Sequence, residues 1–182
     1  YAKAAEWFAK GRAVLLPWHE KKLLVGQFMN AIAVMDRNIA VCGKAEQSLA
    51  DLDFILKQPA AEVPGLLDIR LQFFTKKYDC VQLVATAEAY SQLAAKDATQ
   101  TYNAACAWSL ACGLAIDLKL REKCCTKALA LLQQAKDSGK SFASLAAMGA
   151  HMKQDNDMNP LRSREEFQKF VRQLESPVEQ LG

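Results

Sequence analysis

Apolar residues recur three or four positions apart along most of the chain, which is the period of a helix with one buried face. The pattern predicts a first helix from Ala4 to Leu16, with Trp7, Phe8, Val14 and Leu15 on its apolar side. Pro17 ends that helix or opens the next, since proline is tolerated in a first helical turn. A long helix follows from Trp18 to Val41, carried by Leu24, Phe28, Ile32, Met35 and Ile39, and Cys42-Gly43 breaks it. Lys44 to Lys57 is then amphipathic, with Leu49, Leu52, Ile55 and Leu56 opposite Glu46, Asp51 and Lys57.

Gln58 to Gly65 carries Pro59 and Pro64 and reads as the clearest turn, a weak boundary after residues 1–58. Leu66 to Lys76 and Tyr78 to Leu93 form a helix pair. The next pair lies within Asp97 to Gly139, where Asp97 and Gln100 make a helix cap. Its first block places Tyr102, Ala105, Trp108 (or Ser109) and Cys112 on one face. Its second does the same with Ala128, Leu131, Leu132 and Ala135 before Ser138-Gly139 stops the helix. Beyond Gly139, Ser141 caps a short helix to Lys153, and the polar run Gln154 to Asn159, which has no period, is a loop. Ser163-Arg164-Glu165-Glu166 is a capping box before Phe167, Phe170, Val171 and Leu174, so a last helix ends at Glu175 and residues 176–182 are a frayed tail. The sum is about eight or nine helices in antiparallel succession, an all-α protein. An α-solenoid, a compact bundle and a globular α fold all fit that count, and internal repetition decides among them.

Composition agrees: Gly 8 and Pro 5 are few, and alanine is abundant. At 182 residues the chain can bury a sizeable core. A net charge of +3 with 24% charged residues shows no concentrated basic face, which argues against nucleic acid as a partner. No apolar run of about 18 residues could cross a bilayer. The absence of an initiator Met and of a signal-peptide layout suggests a soluble piece of something longer. The six cysteines (Cys42, Cys80, Cys106, Cys112, Cys124, Cys125) lie in helical patterns, so they are expected to be reduced, buried thiols in a cytoplasmic protein.

Chemistry is hard to find. His19 and His151 stand at ligand spacing from no Cys, Asp or Glu pair, and neither Cys124-Cys125 nor Cys106 with Cys112 matches a zinc knuckle. There is no phosphate loop, no nucleophile elbow and no kinase catalytic motif. The expectation is therefore no catalytic residue, no metal and no cofactor, and a non-enzymatic chain. Lys76-Lys77, Lys119 to Lys123, and Arg162 with Arg164 are solvated faces offset by acids; the first two could steer an acidic partner.

One resemblance does emerge. Tyr102-Asn103-Ala104-Ala105 followed by Trp108 resembles the first helix of a tetratricopeptide (TPR) repeat, and Ala128, Leu132 and Ala135 resemble the small–large–small signature of the second. The span between them exceeds what a repeat of about 34 residues allows, so one helix or the turn is extended. YNAACAWSLA, ALALLQQA and the run from His151 to Phe170, above all Asp157-Met158-Asn159-Pro160-Leu161-Arg162, are similar to the end of TPR-type regions that follow the catalytic domain in some bacterial serine/threonine protein kinases. Lys76-Lys77-Tyr78-Asp79 resembles an inter-helix turn of the same repeat.

The resemblance implies a right-handed array of antiparallel helix pairs over residues 59–175, with a C-terminal capping helix and, in residues 1–58, N-terminal helices that form a degenerate repeat or a packing unit. It implies a protein-interaction or scaffolding module of a larger, kinase-containing protein, with a protein or peptide as partner and no nucleic acid or membrane. Stacked repeats leave a concave groove lined by first helices. Thr99, Tyr102, Asn103, Cys106 and Ser109 would line it, with Arg70 and Phe73 in the preceding unit. Thr99 sits where a carboxylate clamp wants a cation, which argues against that subtype. The alternative is an intramolecular regulatory domain packing on a catalytic domain of its own chain, which should show an exposed apolar patch.

Overall fold

A computed structural model describes residues 1–94, 98–139 and 142–175. It is all-helical: among the described residues there are nine α-helices and two 3₁₀ helices. They fall into two compact units, residues 1–70 and 71–182. None of these helices is long and apolar enough to cross a membrane.

In the first unit, α1 (Ala2–Glu20) runs through Pro17, contrary to the expected stop. Proline forfeits one N–H bond, but so near the helix end the last turn still closes, with the Lys21 N–H donating to the Pro17 carbonyl. The chain turns only at Lys22, whose φ is 56°. The helix expected from Trp18 to Val41 is therefore not one helix. A 3₁₀ turn (Gly26–Phe28) precedes α2 (Ala31–Ala50). Cys42-Gly43 does not break α2. A mid-helix glycine costs about 1 kcal/mol, and the face holding Ile32, Cys42, Ala45 and Ser48 is buried on both sides of it. The break falls at Asp51, whose carboxylate accepts from the Asp53 N–H at 2.9 Å and caps α3 (Leu52–Leu56). The segment expected as one helix from Lys44 to Lys57 is thus the end of α2 plus α3.

Helices α1 and α2 are antiparallel, with Arg12 bonded to Asp36. A Cβ on Gly11 would lie 3.1 Å from the Met35 side chain, which shows how closely the two approach. Helix α4 (Val63–Lys77) begins within the expected turn, with Pro64 and Gly65 in its first turn. Its Arg70 reaches back to α2, donating to the Ser48 and Leu49 carbonyls at 2.7 Å each.

In the second unit, Tyr78 (φ 55°) makes the turn out of α4, and the Asp79 carboxylate accepts from Gln82 N–H at the start of α5 (Cys80–Ala94). Residues 95–97 lie outside the described residues, and with them the expected Asp97 cap. Helix α6 (Ala98–Leu114) then packs against α5 on one side and α7 (Leu118–Ser138) on the other. The connection from α6 to α7 is only residues 115–117, so the excess length over a standard repeat lies in α7, which starts well before Ala128. Asp117 caps α7 by accepting from Leu120 N–H at 2.7 Å, and Gly139 ends it in the left-handed conformation (φ 63°). Its buried stripe is Cys124, Cys125, Ala128, Leu132 and Ala135.

Ser141 also falls outside the described residues. The cap of α8 (Leu145–Gln154) is Ser144, accepting from Ala147 N–H at 3.0 Å. The segment expected as a loop is instead a 3₁₀ helix (Asn156–Leu161) packed on α6. Its Met158 and Leu161, three apart and therefore on one side of such a helix, are both buried. A Cβ on Gly113 of α6 would fall 2.7 Å from Pro160 Cγ, so this contact needs a glycine. Finally α9 (Glu165–Glu175) buries Phe167, Phe170, Val171 and Leu174, as its spacing predicts.

Candidate functional site

Helix α6 is the inside of the second unit. Ala104, Ala105, Ala107 and Ala111 have almost no exposed surface, and Trp108 and Ser109 have none. Small side chains let α5 and α7 approach, while one large ring fills the space between them. Trp108 Nε1–H donates to Ser91 Oγ on α5 at 2.9 Å. The Lys127 ammonium of α7 lies 4.4 Å from the Trp108 ring centroid and is paired with Glu88 of α5. A single indole is thus tied to both flanking helices.

Along α6 the expected groove residues divide. Tyr102 and Cys106 come together, but they face α8 and the 3₁₀ helix (Asn156–Leu161). Tyr102 O–H donates to Asp155 Oδ2 at 2.8 Å and the Cys106 thiol donates to the same oxygen at 3.6 Å. His151 Nε2 lies 3.7 Å from that oxygen as well. The rings of Tyr102, Phe142 and His151 stand 5.2 to 5.4 Å apart in edge and tilted contacts. Asp155 accepts from Asp157 N–H with its other oxygen, so one carboxylate caps the 3₁₀ helix and anchors it to α6.

The electrostatics of this cluster do not activate it. Burial first, then the adjacent Cys106, then Asp155 push the Tyr102 hydroxyl well above its ordinary value. Burial, then Asp155 and Asp157, do the same to the Cys106 thiol. Both remain neutral donors at physiological pH, and a protonated thiol is a poor nucleophile. The arrangement is that of a clasp.

Of the other expected groove residues, Ser109 is fully buried in α6. Arg70 is buried in the first unit, where it bonds α2. Phe73 is half-buried and meets Phe74 edge-on at 5.2 Å. Asn103 is half-buried and donates to Gln100 Oε1 at 3.4 Å, while Thr99 is exposed. Thr99, Asn103 and Phe73 therefore keep surface that a partner could touch. Tyr102, Cys106, Ser109 and Arg70 present next to none.

Asp155 is the residue that sequence reasoning missed. It sits in a polar run without period, and only its spacing before Asp157 hinted at a capped turn. The cysteines need a correction too. Cys112 and Cys125 form a disulfide between α6 and α7, so the expectation of six reduced thiols fails for this pair, and the cytoplasmic placement drawn from it loses that support. Antiparallel packing through a short connection brings together two side chains that are 13 residues apart in sequence. Cys42, Cys80, Cys106 and Cys124 are free. No group of three or more His, Cys, Asp or Glu side chains among the described residues is arranged to hold a metal ion.

No protein-family model, curated protein or solved structure matches the chain.

Proposed function

We propose that the chain is a protein-interaction module of TPR-like construction, part of a larger bacterial signalling protein that carries a serine/threonine kinase, and that it binds a peptide or partner helix without catalysing a reaction. The carrying observation is α6: a helix of small residues around one tryptophan, enclosed by antiparallel neighbours, as a repeat's first helix is when a second helix and the next unit cover it. The resemblance in Tyr102 to Trp108 and in Ala128 to Ala135 supports the same reading. Partner contact then falls to Thr99, Asn103 and Phe73. The inert thiol and phenol of the clasp fit a scaffold better than a catalyst.

A second reading has its own observation. Helix α1 buries none of its residues. Phe8 and Leu15 turn toward partial cover, whereas Trp7, Val14 and Trp18, spaced seven and four apart, are 72%, 68% and 57% exposed. Such a stripe suits the intramolecular regulatory alternative, in which α1 docks on another domain of its own polypeptide.

Site-specific photo-cross-linking separates the two. A photoreactive residue at Thr99, Asn103 or Phe73 should give one discrete adduct with a second protein, while the same residue at Glu165 gives none. Adducts formed only from Trp7 or Val14, at the mass of a link within one polypeptide, would replace the first reading by the second.

A further inference from the structure

The second unit gathers three turns at one end. The start of α5 lies beside the end of α6, where the Cys80 thiol donates to the Ala111 carbonyl at 3.8 Å, so the turn at residues 76–81 shares an end with the turn at 115–118. Pro160 against Gly113, and Arg164 paired with Glu122, bring residues 159–164 to the same end. Two basic clusters far apart in sequence, Lys76-Lys77 and Lys119 to Lys123, therefore meet there, and all of these lysines are exposed.

The same turns carry apolar surface. Tyr78, Val81, Ile116 and Leu118 are 79%, 76%, 92% and 71% exposed, and among the described residues they are all the large apolar side chains that the second unit exposes. Apolar residues scattered singly over a surface need no explanation, but four confined to one end mark a contact surface. The acids of these turns are used within the fold. Asp79 accepts from Gln82 N–H at 3.1 Å, Asp117 accepts from Leu120 N–H at 2.7 Å, and Glu122 holds Arg164. Lys76, Lys119 and Lys123 pair with no carboxylate among the described residues, so the end presents uncompensated positive charge.

A cleft of about 570 Å³ opens at this end, lined by Leu118, Arg121, Asn159, Ser163 and Arg164. Arg121 is fixed beside it by its Nε–H, which donates to the Ala115 carbonyl at 2.9 Å. Asn159 and Ser163 are exposed, and an amide and a hydroxyl can both give and accept the hydrogen bonds of a peptide backbone. A lipid surface could use the apolar tips and the lysines, but it has no use for a concave polar cleft between them. An extended peptide uses all three.

We propose that this end of the second unit docks an acidic peptide segment of another protein. Its apolar side chains rest on Ile116, Leu118 and their neighbours, its carboxylates meet the lysines, and its backbone bonds Asn159 and Ser163 in the cleft. The surface is separate from Thr99 and Asn103, which stand at the opposite end of α6, so the proposal does not rest on the groove reading.

The test is selection of random phage-displayed peptides on the folded full chain, with the enriched peptides then synthesised and titrated by fluorescence anisotropy. They should combine Asp or Glu with large apolar residues. Ile116→Ser together with Leu118→Ser, at exposed positions that the fold does not need, should weaken binding about tenfold. Lys119→Gln with Lys123→Gln should weaken it several-fold, an effect that fades as salt rises. Thr99→Arg should leave it unchanged. No enrichment, enriched peptides without acidic residues, or an affinity that neither double variant lowers would overturn the proposal. So would binding lost in Thr99→Arg but kept in the Ile116 and Leu118 variant. Vesicles of phosphatidylcholine and phosphatidylserine should leave the protein in the supernatant on sedimentation. Co-sedimentation abolished by the Ile116 and Leu118 variant would put a lipid surface in the peptide's place and overturn it too.

Discussion

Side-chain contacts at α6 make the sharpest predictions. A Cβ at Gly113 would stand 2.7 Å from Pro160 Cγ, and proline, being a ring, cannot swing aside. Gly113→Ala should therefore cost about 1–3 kcal/mol, the usual penalty for overpacking, although alanine is the better helix former. A urea midpoint equal to or above that of the parent would show that the 3₁₀ helix is not seated there. Tyr102→Phe removes the O–H that donates to Asp155 and should cost about 1–2 kcal/mol, again read by urea. The pH dependence has a definite sign. Tyr102, Cys106 and Cys124 all have folded-state values raised above their ordinary ones, Cys124 from 9.0 to about 11. A raised value means the neutral form is favoured by folding, so the stabilisation is complete below the unfolded value and drains away as pH climbs toward the folded one. Urea midpoints should hold steady up to pH 9.0 and fall between there and about 11, and Cys124→Ala should fall less steeply over that interval. An unchanged slope in the variant would mean that Cys124 is not the buried thiol described. The seating of Gly113 against Pro160 and the Tyr102–Asp155 bond were hidden in the sequence, because each joins residues about fifty positions apart and a periodicity search sees only near neighbours.

At the scale of elements, helices with a clean apolar stripe were the legible ones. The spacing of Ala128, Leu132 and Ala135, and of Phe167, Phe170, Val171 and Leu174, predicts faces that are in fact buried. Boundaries fared worse where a local breaker was outweighed by burial on both sides, as at Cys42-Gly43, or where a proline sat close enough to a helix end to be carried through, as in α1. The 3₁₀ helix was invisible because its cap, Asp155, and its two buried residues span too few positions to show a period. Caps chosen by the structure are testable in their own right. Ser144→Ala removes the acceptor for Ala147 N–H and should cost about 1 kcal/mol, with α8 fraying first. Loss of protection confined to α8 in hydrogen exchange would show the local origin of that change. No change in α8 protection would mean that the serine does not cap it.

For the whole molecule, the two units differ in how they are held. The first rests on an α1 that buries nothing fully, the second on an α6 enclosed by α5, α7 and the 3₁₀ helix. Outside that spine, Thr99 and the α1 stripe of Trp7, Val14 and Trp18 are exposed, and Asn103 and Phe73 are half-buried. Of the residues expected to line a groove, Thr99 is exposed and Asn103 and Phe73 are half-buried, while Tyr102, Cys106, Ser109 and Arg70 are buried. Four of these are covered because helical spacing alone does not tell a face packed on a neighbour from a face left open. Removing the spine's one large side chain should be severe. Trp108→Ala, at a fully buried position, should cost about 3–5 kcal/mol, and a loss below about 1 kcal/mol would be inconsistent with its place between α5 and α7. The most direct measurement is native-state hydrogen exchange resolved helix by helix. The amides from Tyr102 to Cys112 should exchange slowest of all, at a free energy near that of global unfolding, while those of α1 exchange early. Amides of α6 that exchange as fast as those of α1 would contradict the central place given to α6.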